Sequence, residues 1–158
     1  MIPQKVRDVL DKHGLAAIEF EAGSTATSVL AAGKLGVTVG QIAKSLLFLG
    51  KNGRYFLVVC PGDRRVSSSK LKAATGTKSR MARVDEALAA TGFGPGGVCP
   101  FGLDSGILIF IDASLRQYAT VYPAAGTDSS GVPMVFDQLV SVTGGTVGDF
   151  MSDGSEEG

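Results

Sequence analysis

The sequence predicts an α+β fold: a single domain with a mixed, curved and partly barrel-like β-sheet surrounded by helices. The chain has 158 residues and is 44% hydrophobic, which suffices for one well-formed core. Helical and extended patterns mix along it without the regular strand–helix alternation of a doubly wound parallel sheet. The Asn52-Gly53 pair between two apolar runs indicates a β-hairpin, and therefore at least one antiparallel strand pair.

The first third of the chain is predicted to be mainly helical. Val6, Val9 and Leu10 repeat at helical spacing, and Gly14 follows at a position where glycine commonly ends a helix. Gly36 ends a second helical pattern in the same way. The predicted elements are helices over residues 3–13, 25–35 and 39–43, and a short strand over 17–20.

The middle third is predicted to contain the most buried strand. Residues 46–49 read Leu-Leu-Phe-Leu and are apolar on both faces, which is typical of a central strand. The Asn-Gly turn then leads into a return strand that Pro61 ends. The predicted elements are strands over residues 44–49, 55–60 and 79–82, and helices over 67–75 and 85–90.

The last third is predicted to alternate short strands with one helix. The predicted strands cover residues 106–112, 117–122 and 132–136, with a turn of helix at 114–115 and a helix over 138–142. Residues 148–158 are rich in glycine and acids, a composition typical of mobile segments. We therefore expect a domain over residues 1–147 and an acidic flexible tail over 148–158.

A glycine-rich loop over residues 91–102 separates a predicted helix from the apolar strand over 106–112. It holds five glycines and two prolines in twelve residues. Glycine lets the backbone turn sharply or approach another group closely, and proline fixes the direction of the chain. Such a loop either aims main-chain N–H groups at an anion or a developing oxyanion, or forms a tight connection that only packs.

Several common chemistries are excluded by the residues that the chain lacks. His13 is the only histidine, which argues against a serine–histidine–aspartate triad, and no His/Cys cluster suits zinc. Neither a P-loop nor a dinucleotide-binding glycine motif is present. Two isolated cysteines and no apolar run of about 20 residues indicate a cytoplasmic protein with reduced thiols.

Lys44 stands directly before the most apolar strand and is a candidate functional cation. In that position its stem packs on apolar surface while its ammonium group reaches water. The ammonium either only reaches solvent there or binds a phosphate or carboxylate. Ser45 follows it and offers a hydrogen-bond donor, although neighbouring residues of a strand face opposite ways.

Positive charge is concentrated in residues 63–83. That segment carries seven Lys or Arg residues against Asp63 alone, whereas residues 84–158 carry ten acids against Arg116 alone. Such a segment either binds phosphates or forms a solvated surface. The candidate phosphate-binding residues within it are Arg64, Arg65, Lys70 and Lys72.

Four segments, taken in their order and spacing, carry a family resemblance. They are residues 42–48 (Ile-Ala-Lys-Ser-Leu-Leu-Phe), 58–63 (Val-Val-Cys-Pro-Gly-Asp), the loop over 91–102 and 121–126 (Val-Tyr-Pro-Ala-Ala-Gly). Together they resemble the YbaK / proline-tRNA-synthetase-associated editing domain family over about residues 1–145. The resemblance implies a catalytic role for Lys44 and Gly102, and substrate contacts from Ser45, Gly97, Val98, Cys99, Pro100, Phe101, Ala125, Gly126 and Ser129.

The activity that the resemblance implies is aminoacyl-tRNA deacylation in trans, on a mischarged tRNA such as Cys- or Ala-tRNA(Pro). No cofactor and no metal are expected. The expected partners are the mischarged tRNA and, as a candidate, an aminoacyl-tRNA synthetase, with the protein a monomer or weak homodimer. Two other classes stay open from the residues: a non-catalytic tRNA- or synthetase-binding module that uses the same cleft, and a general nucleic-acid-binding domain that uses the basic segment.

Overall fold

The structure is a computed structural model and describes residues 1–153 of the chain. Five α-helices are α1 (Gln4–Lys12), α2 (Ser28–Leu35), α3 (Ser68–Thr75), α4 (Val84–Thr91) and α5 (Phe136–Thr143). The strands are β1 (Ile18–Glu19), β2 (Ala43–Gly50), β3 (Tyr55–Pro61), β4 (Ser79–Met81), β5 (Leu108–Asp112), β6 (Ser130–Gly131) and β7 (Thr146–Gly148). Two 3₁₀ helices cover Val39–Gln41 and Ala113–Gln117.

A five-stranded sheet in the order β4-β2-β3-β5-β7 forms the centre of the molecule. The β4-β2-β3 half is antiparallel, and the β3-β5-β7 half is parallel. β1 and β6 form a separate two-stranded sheet. The predicted α+β fold with a mixed sheet is confirmed, although the described strands form an open sheet and do not close into a barrel.

The central sheet is covered on both faces, which explains why β3 is buried along almost its whole length. One face carries Ala43 and Leu47 and packs on α1, the glycine-rich loop and α5. The other face carries Phe48 and packs on Leu71 of α3. Strand β2, which the sequence predicts to be central, lies second in the order, between β4 and β3.

Two strands predicted in the last third, over residues 117–122 and 132–136, are wrong. The first stretch instead begins with the end of a 3₁₀ helix, and only an isolated bridge joins Val121 to Met134. Pro123 and Pro133 lie beside this bridge, and proline has no N–H with which to extend a ladder. The short helix predicted over residues 39–43 is a single 3₁₀ turn.

The described part of the predicted tail packs on the sheet. Gly148 ends β7, and Phe150 and Met151 are buried beside Phe110 and Leu71. The Asp112 carboxylate accepts a hydrogen bond from the Phe150 N–H at 2.8 Å. Phe150 and Met151 therefore contribute to the core, and residues 154–158 of the predicted tail lie outside the described residues.

None of the helices within residues 1–153 has the length and apolar character that crossing a membrane requires.

Candidate active site

A cleft of about 270 Å³ lies where four segments of the chain meet. Its walls are the start of β2, the N-terminal end of α2, part of the glycine-rich loop and the segment over residues 122–130. No two of these walls are neighbours in sequence, so the cleft depends on the tertiary fold. Lys44, the candidate cation, lies in its wall.

The α2 wall is positioned by hydrogen bonds at its N-terminal end. The Thr27 hydroxyl accepts a hydrogen bond from the Leu30 N–H at 3.2 Å and so caps the helix. Just before it, the Thr25 hydroxyl accepts from the Ser130 N–H at 3.0 Å. The Thr25 N–H donates to the carbonyl of Asp128 at 2.7 Å. These bonds fix the start of α2 against the opposite wall of the cleft.

Lys44 is held in place by the turn that follows β3. Its Nζ donates to the carbonyl of Arg64 at 2.6 Å and to the carbonyl of Gly62 at 3.4 Å. An ammonium group has three N–H donors, so one remains for a ligand. Among the described residues that line the cleft, Lys44 carries the only charge. The cleft therefore presents one oriented cation.

The β2 wall is an unpaired sheet edge. β4 pairs only with Phe48–Gly50, so the start of β2 has no strand on that side. The Ala43 N–H donates to Tyr122 and the Leu47 carbonyl accepts from Ala82, both away from β3. Because main-chain groups alternate in direction along a strand, those of Ser45 also point away from β3. The Ser45 Oγ is buried without a hydrogen-bond partner among the described residues.

The glycine-rich loop reaches the cleft with its first half. Gly96 has φ +77°, and a Cβ there would lie 3.0 Å from main-chain atoms of Ala26. At Gly97 a Cβ would lie 2.9 Å from the main chain of Gly126. Two glycines are therefore required where the loop passes between the other two walls. Val98, the next residue, lines the cleft.

The residues to which the family resemblance gives a role do not all lie in one place: some line the Lys44 cleft, some line a second cleft, and some are packed in the interior. Lys44, Ser45 and Val98 line one cleft, with Gly97 directly behind Val98. Pro100, Phe101 and Gly102 line a second cleft beside β5, and a Cβ at Gly102 would lie 2.9 Å from Cγ of Lys5 in α1. Ala125 is fully buried, Gly126 packs on Pro3 and Phe93, and Ser129 is half-buried beside the Lys44 cleft without lining it.

Both thiols are buried in surroundings that keep them protonated. Burial raises the pKa of Cys99 to about 12, and main-chain groups of Phe101 and Gly126 offset this only in part. Burial likewise raises the pKa of Cys60 to about 12, against a smaller lowering by Lys44. A protonated thiol is a poor nucleophile at neutral pH.

We expect Cys99→Ala to retain most of the deacylation activity that the resemblance implies, because the thiol is protonated and no base contacts it. The measurement is the single-turnover rate beside a melting curve. Cys99→Ser is a weaker probe because it buries a hydroxyl. Trapping of an acyl-thiol adduct, or complete loss of activity in a folded Cys99→Ala variant, would contradict this expectation.

The four candidate tRNA-binding residues differ in how far their charge is available. Lys70 pairs with Asp149 at 3.0 Å, and this hydrogen bond raises the pKa of Lys70. Arg64 donates from Nη2 to the carbonyl of Ser152 and is half-buried. Arg65 and Lys72 are exposed.

Several cleft residues are missing from the sequence-based prediction. Those with a hydroxyl group are Thr25, Thr27, Ser28, Tyr122 and Ser130. The run Ser24-Thr25-Ala26-Thr27-Ser28 gives a signal only for a helix cap. Its contact with Ser130 is separated by about a hundred residues, and no local pattern in the sequence indicates it.

The sheet and the single-cation cleft define a compact α+β domain with a small ligand site, and comparison with known proteins gives its family. The family model described as "Aminoacyl-tRNA editing domain" matches residues 22–142, more than half of the chain. The chain belongs to the aminoacyl-tRNA editing domain family. This confirms the family that the sequence motifs predict.

The named relatives are either proteins that this chain covers over most of their length or proline–tRNA ligases that it covers only in small part. The chain is 40% identical to "Uncharacterized protein YwhH" of Bacillus subtilis over 121 residues, covering 77% of this chain and 76% of that protein. It is 25% identical to "Putative Cys-tRNA(Pro)/Cys-tRNA(Cys) deacylase EbsC" of Enterococcus faecalis, covering 87% and 86%. A proline–tRNA ligase of Pelobacter propionicus is 32% identical over 86 residues, which are 54% of this chain but only 15% of the ligase.

Solved structures share the fold over nearly the whole chain. One is described as a putative trans-editing enzyme for prolyl tRNA synthetase, with a TM-score of 0.86 and 33% identity, covering 95% of this chain and 96% of that chain. Another, hypothetical protein APE2540, gives a TM-score of 0.86 at 31% identity, covering 94% and 99%.

Proposed function

We propose that this protein is a trans-editing enzyme that hydrolyses the ester of a mischarged tRNA, such as Cys- or Ala-tRNA(Pro). The family and the deacylase and trans-editing relatives make the chain an aminoacyl-tRNA deacylase. The cysteinyl group and tRNA(Pro) follow the names of those relatives, and the alanyl group follows the family resemblance of the sequence. The observation that carries the proposed site is the Lys44 ammonium, fixed by two carbonyls in a cleft with no other charge.

Lys44 is proposed to position the 3′ end of the substrate. Its remaining N–H is available to a phosphate or ribose oxygen of the terminal adenosine. An aminoacyl ester is already activated, so positioning supplies a large part of what hydrolysis needs. The neighbouring Ser45 Oγ and the free edge of β2 offer further hydrogen bonds to the aminoacyl group.

Main-chain N–H groups of the glycine-rich loop are proposed to stabilise the oxyanion. Gly96 and Val98 line the cleft with Lys44, whereas Gly102 lies in the other cleft. The Gly97 N–H already donates to the carbonyl of Gly94 at 3.0 Å. We therefore assign the oxyanion contacts to the N–H groups of Gly96 and Val98 rather than to the end of the loop.

The reaction is an ester hydrolysis without a protein nucleophile. A water oxygen bonds to the ester carbonyl carbon, with a group of the substrate itself accepting the water proton. The bond from that carbon to the ribose oxygen then breaks, and the ribose oxygen takes a proton. The products are a free amino acid and a tRNA with both terminal hydroxyl groups restored.

A panel of mischarged tRNAs tests the proposed function. Purified protein should hydrolyse one or a few tRNA–amino acid pairs and leave the correctly charged prolyl-tRNA intact. A matched control is the Lys44→Ala variant at the same concentration. If no pair is hydrolysed faster than in buffer although the protein binds tRNA, the chain is instead a non-catalytic binding module.

We expect deacylation to need no metal at the protein site. Within residues 1–153 no group of three or more His, Cys, Asp or Glu side chains is placed to hold an ion. Activity should therefore survive a chelator when an aminoacyl-adenosine is the substrate, because this substrate needs no magnesium to fold. Loss of that activity with the chelator, and its recovery with zinc or magnesium, would contradict the expectation.

A further inference from the structure

A group of exposed bases lies at the end of the β2–β3 hairpin, away from the active-site cleft. It consists of Lys51, Arg54, Lys72 and Lys78, and we call it the basic end surface. The Lys51 N–H donates to the carbonyl of Lys78 at 2.8 Å, which joins the hairpin to the turn before β4. Lys72 and Lys78 line one shallow cleft of about 290 Å³ together with three serines, Ser68, Ser69 and Ser79.

The charge of the basic end surface is uncompensated. Residues 43–83 contain ten Lys or Arg residues and one acid, Asp63. Among the other bases of this stretch, Lys70, Arg80 and Arg83 form ion pairs with Asp149, Asp153, Asp85 or Glu86. Within residues 1–153, no member of the basic end surface forms such a pair.

We propose that the basic end surface binds phosphates of the tRNA outside its aminoacylated end, an inference that rests on the proposed function. Exposed, unpaired Lys and Arg side chains with hydroxyl groups between them suit a phosphate backbone, whose binding releases counterions. The surface presents charge without an apolar or aromatic platform among its members, so it reads backbone rather than bases.

The position of this surface relative to Lys44 fits an RNA whose 3′ end lies in the cleft. Gly50 is six residues beyond Lys44 along β2, a distance of about 20 Å at the rise of a strand. Lys44 and Phe48 project from the same face of the sheet, and Phe48 contacts α3, which carries Lys72. An RNA chain that leaves the cleft across the exposed side of α3, which covers this face, therefore meets the basic end surface.

We expect Lys72, rather than Lys70, to bind tRNA phosphates. The charge of the sequence selects Lys70 and Lys72 alike, but the structure gives Lys70 two acidic partners and the carbonyl of Met151. We therefore expect a Lys70 substitution to affect the packing of residues 149–153 more than tRNA binding.

The test compares two double variants that lose the same charge. K72Q/K78Q removes two members of the basic end surface, and K12Q/K34Q removes two exposed lysines from the ends of α1 and α2. Binding is measured with uncharged tRNA(Pro) at several salt concentrations. We expect K72Q/K78Q to weaken binding at least about tenfold at low salt and to reduce the slope of log affinity against log salt by roughly 1.5 to 2. K12Q/K34Q should leave both quantities close to wild type.

Three outcomes would overturn the proposal. K72Q/K78Q could bind with the wild-type affinity and slope, or K12Q/K34Q could weaken binding equally, which would indicate net charge alone. K51Q/R54Q, on the hairpin, provides a second variant if K72Q/K78Q fails to fold, and wild-type binding by it would also overturn the proposal. Deacylation of an aminoacyl-adenosine reports on the proposed function separately, and it should be unchanged in all three variants.

Discussion

Lys44→Ala is expected to lower the single-turnover rate of deacylation at least about tenfold, equivalent to about 1.4 kcal/mol in the barrier. Lys44 carries the only charge among the described residues that line the cleft, and two carbonyls fix its ammonium group. In the proposed mechanism, the substitution removes the cation that positions the terminal nucleotide. The rate should fall with an aminoacyl-adenosine as well as with tRNA, because the contact is at the 3′ end.

The fold should survive this substitution. The carbonyls of Gly62 and Arg64 lose a donor, which costs about 1 kcal/mol of unfolding free energy. Lys12→Ala, on the exposed side of α1, is the matched control and should change neither the rate nor the melting curve. Lys44→Arg should restore the rate only in part, since a planar guanidinium cannot make the same pair of carbonyl contacts.

A Lys44→Ala variant that melts normally and hydrolyses at the wild-type rate would remove Lys44 from the mechanism. The ammonium would then only orient the turn after β3. A variant that loses activity on tRNA but keeps it on aminoacyl-adenosine would also contradict the proposed role, because it would place Lys44 in binding the body of the tRNA.

The sequence predicts most of the elements because their signals are local. The Asn52-Gly53 turn predicts the β2–β3 hairpin, and the structure confirms it, with pairs from Ala43↔Pro61 to Leu49↔Tyr55. Glycines with positive φ end α2 and α4, at Gly36 and Gly92. The position of Lys44 at the start of an apolar strand also follows from the sequence.

The shape of the cleft could not be predicted in this way. The glycine-rich loop is visible in the sequence, but which half of it faces Lys44 depends on its contacts with Ala26 and Gly126. The Ser45 hydroxyl is buried without a hydrogen-bond partner among the described residues, and this depends on the tertiary packing around it. Composition likewise does not indicate that Phe150 and Met151 are core residues, because the residues around them in sequence are mainly glycines and acids.

Asp112→Ala is expected to lower the free energy of unfolding by about 2–4 kcal/mol, although Asp112 is outside the cleft. The carboxylate is buried, and it accepts hydrogen bonds from the Ser114 N–H at 3.0 Å, the Ser114 hydroxyl and the Phe150 N–H at 2.8 Å. Alanine leaves these donors without an acceptor. The measurement is urea unfolding, with Asp104→Ala, an exposed aspartate nearby in the chain, as the matched control.

The largest part of this loss should come from the segment over residues 149–152. The Ser67 N–H donates to the carbonyl of Phe150 and the Ser152 N–H to the carbonyl of Arg65, each at 2.8 Å. Releasing Phe150 therefore removes hydrogen bonds from Arg65 and Ser67. These residues follow the turn whose carbonyls bind Lys44. Asp112→Asn keeps one acceptor and should lose about half as much stability, because its amide N–H₂ group faces donors. If Asp112→Ala and Asp104→Ala unfold at the same urea concentration, the carboxylate does not anchor the C-terminal segment and Phe150 is held by apolar packing alone.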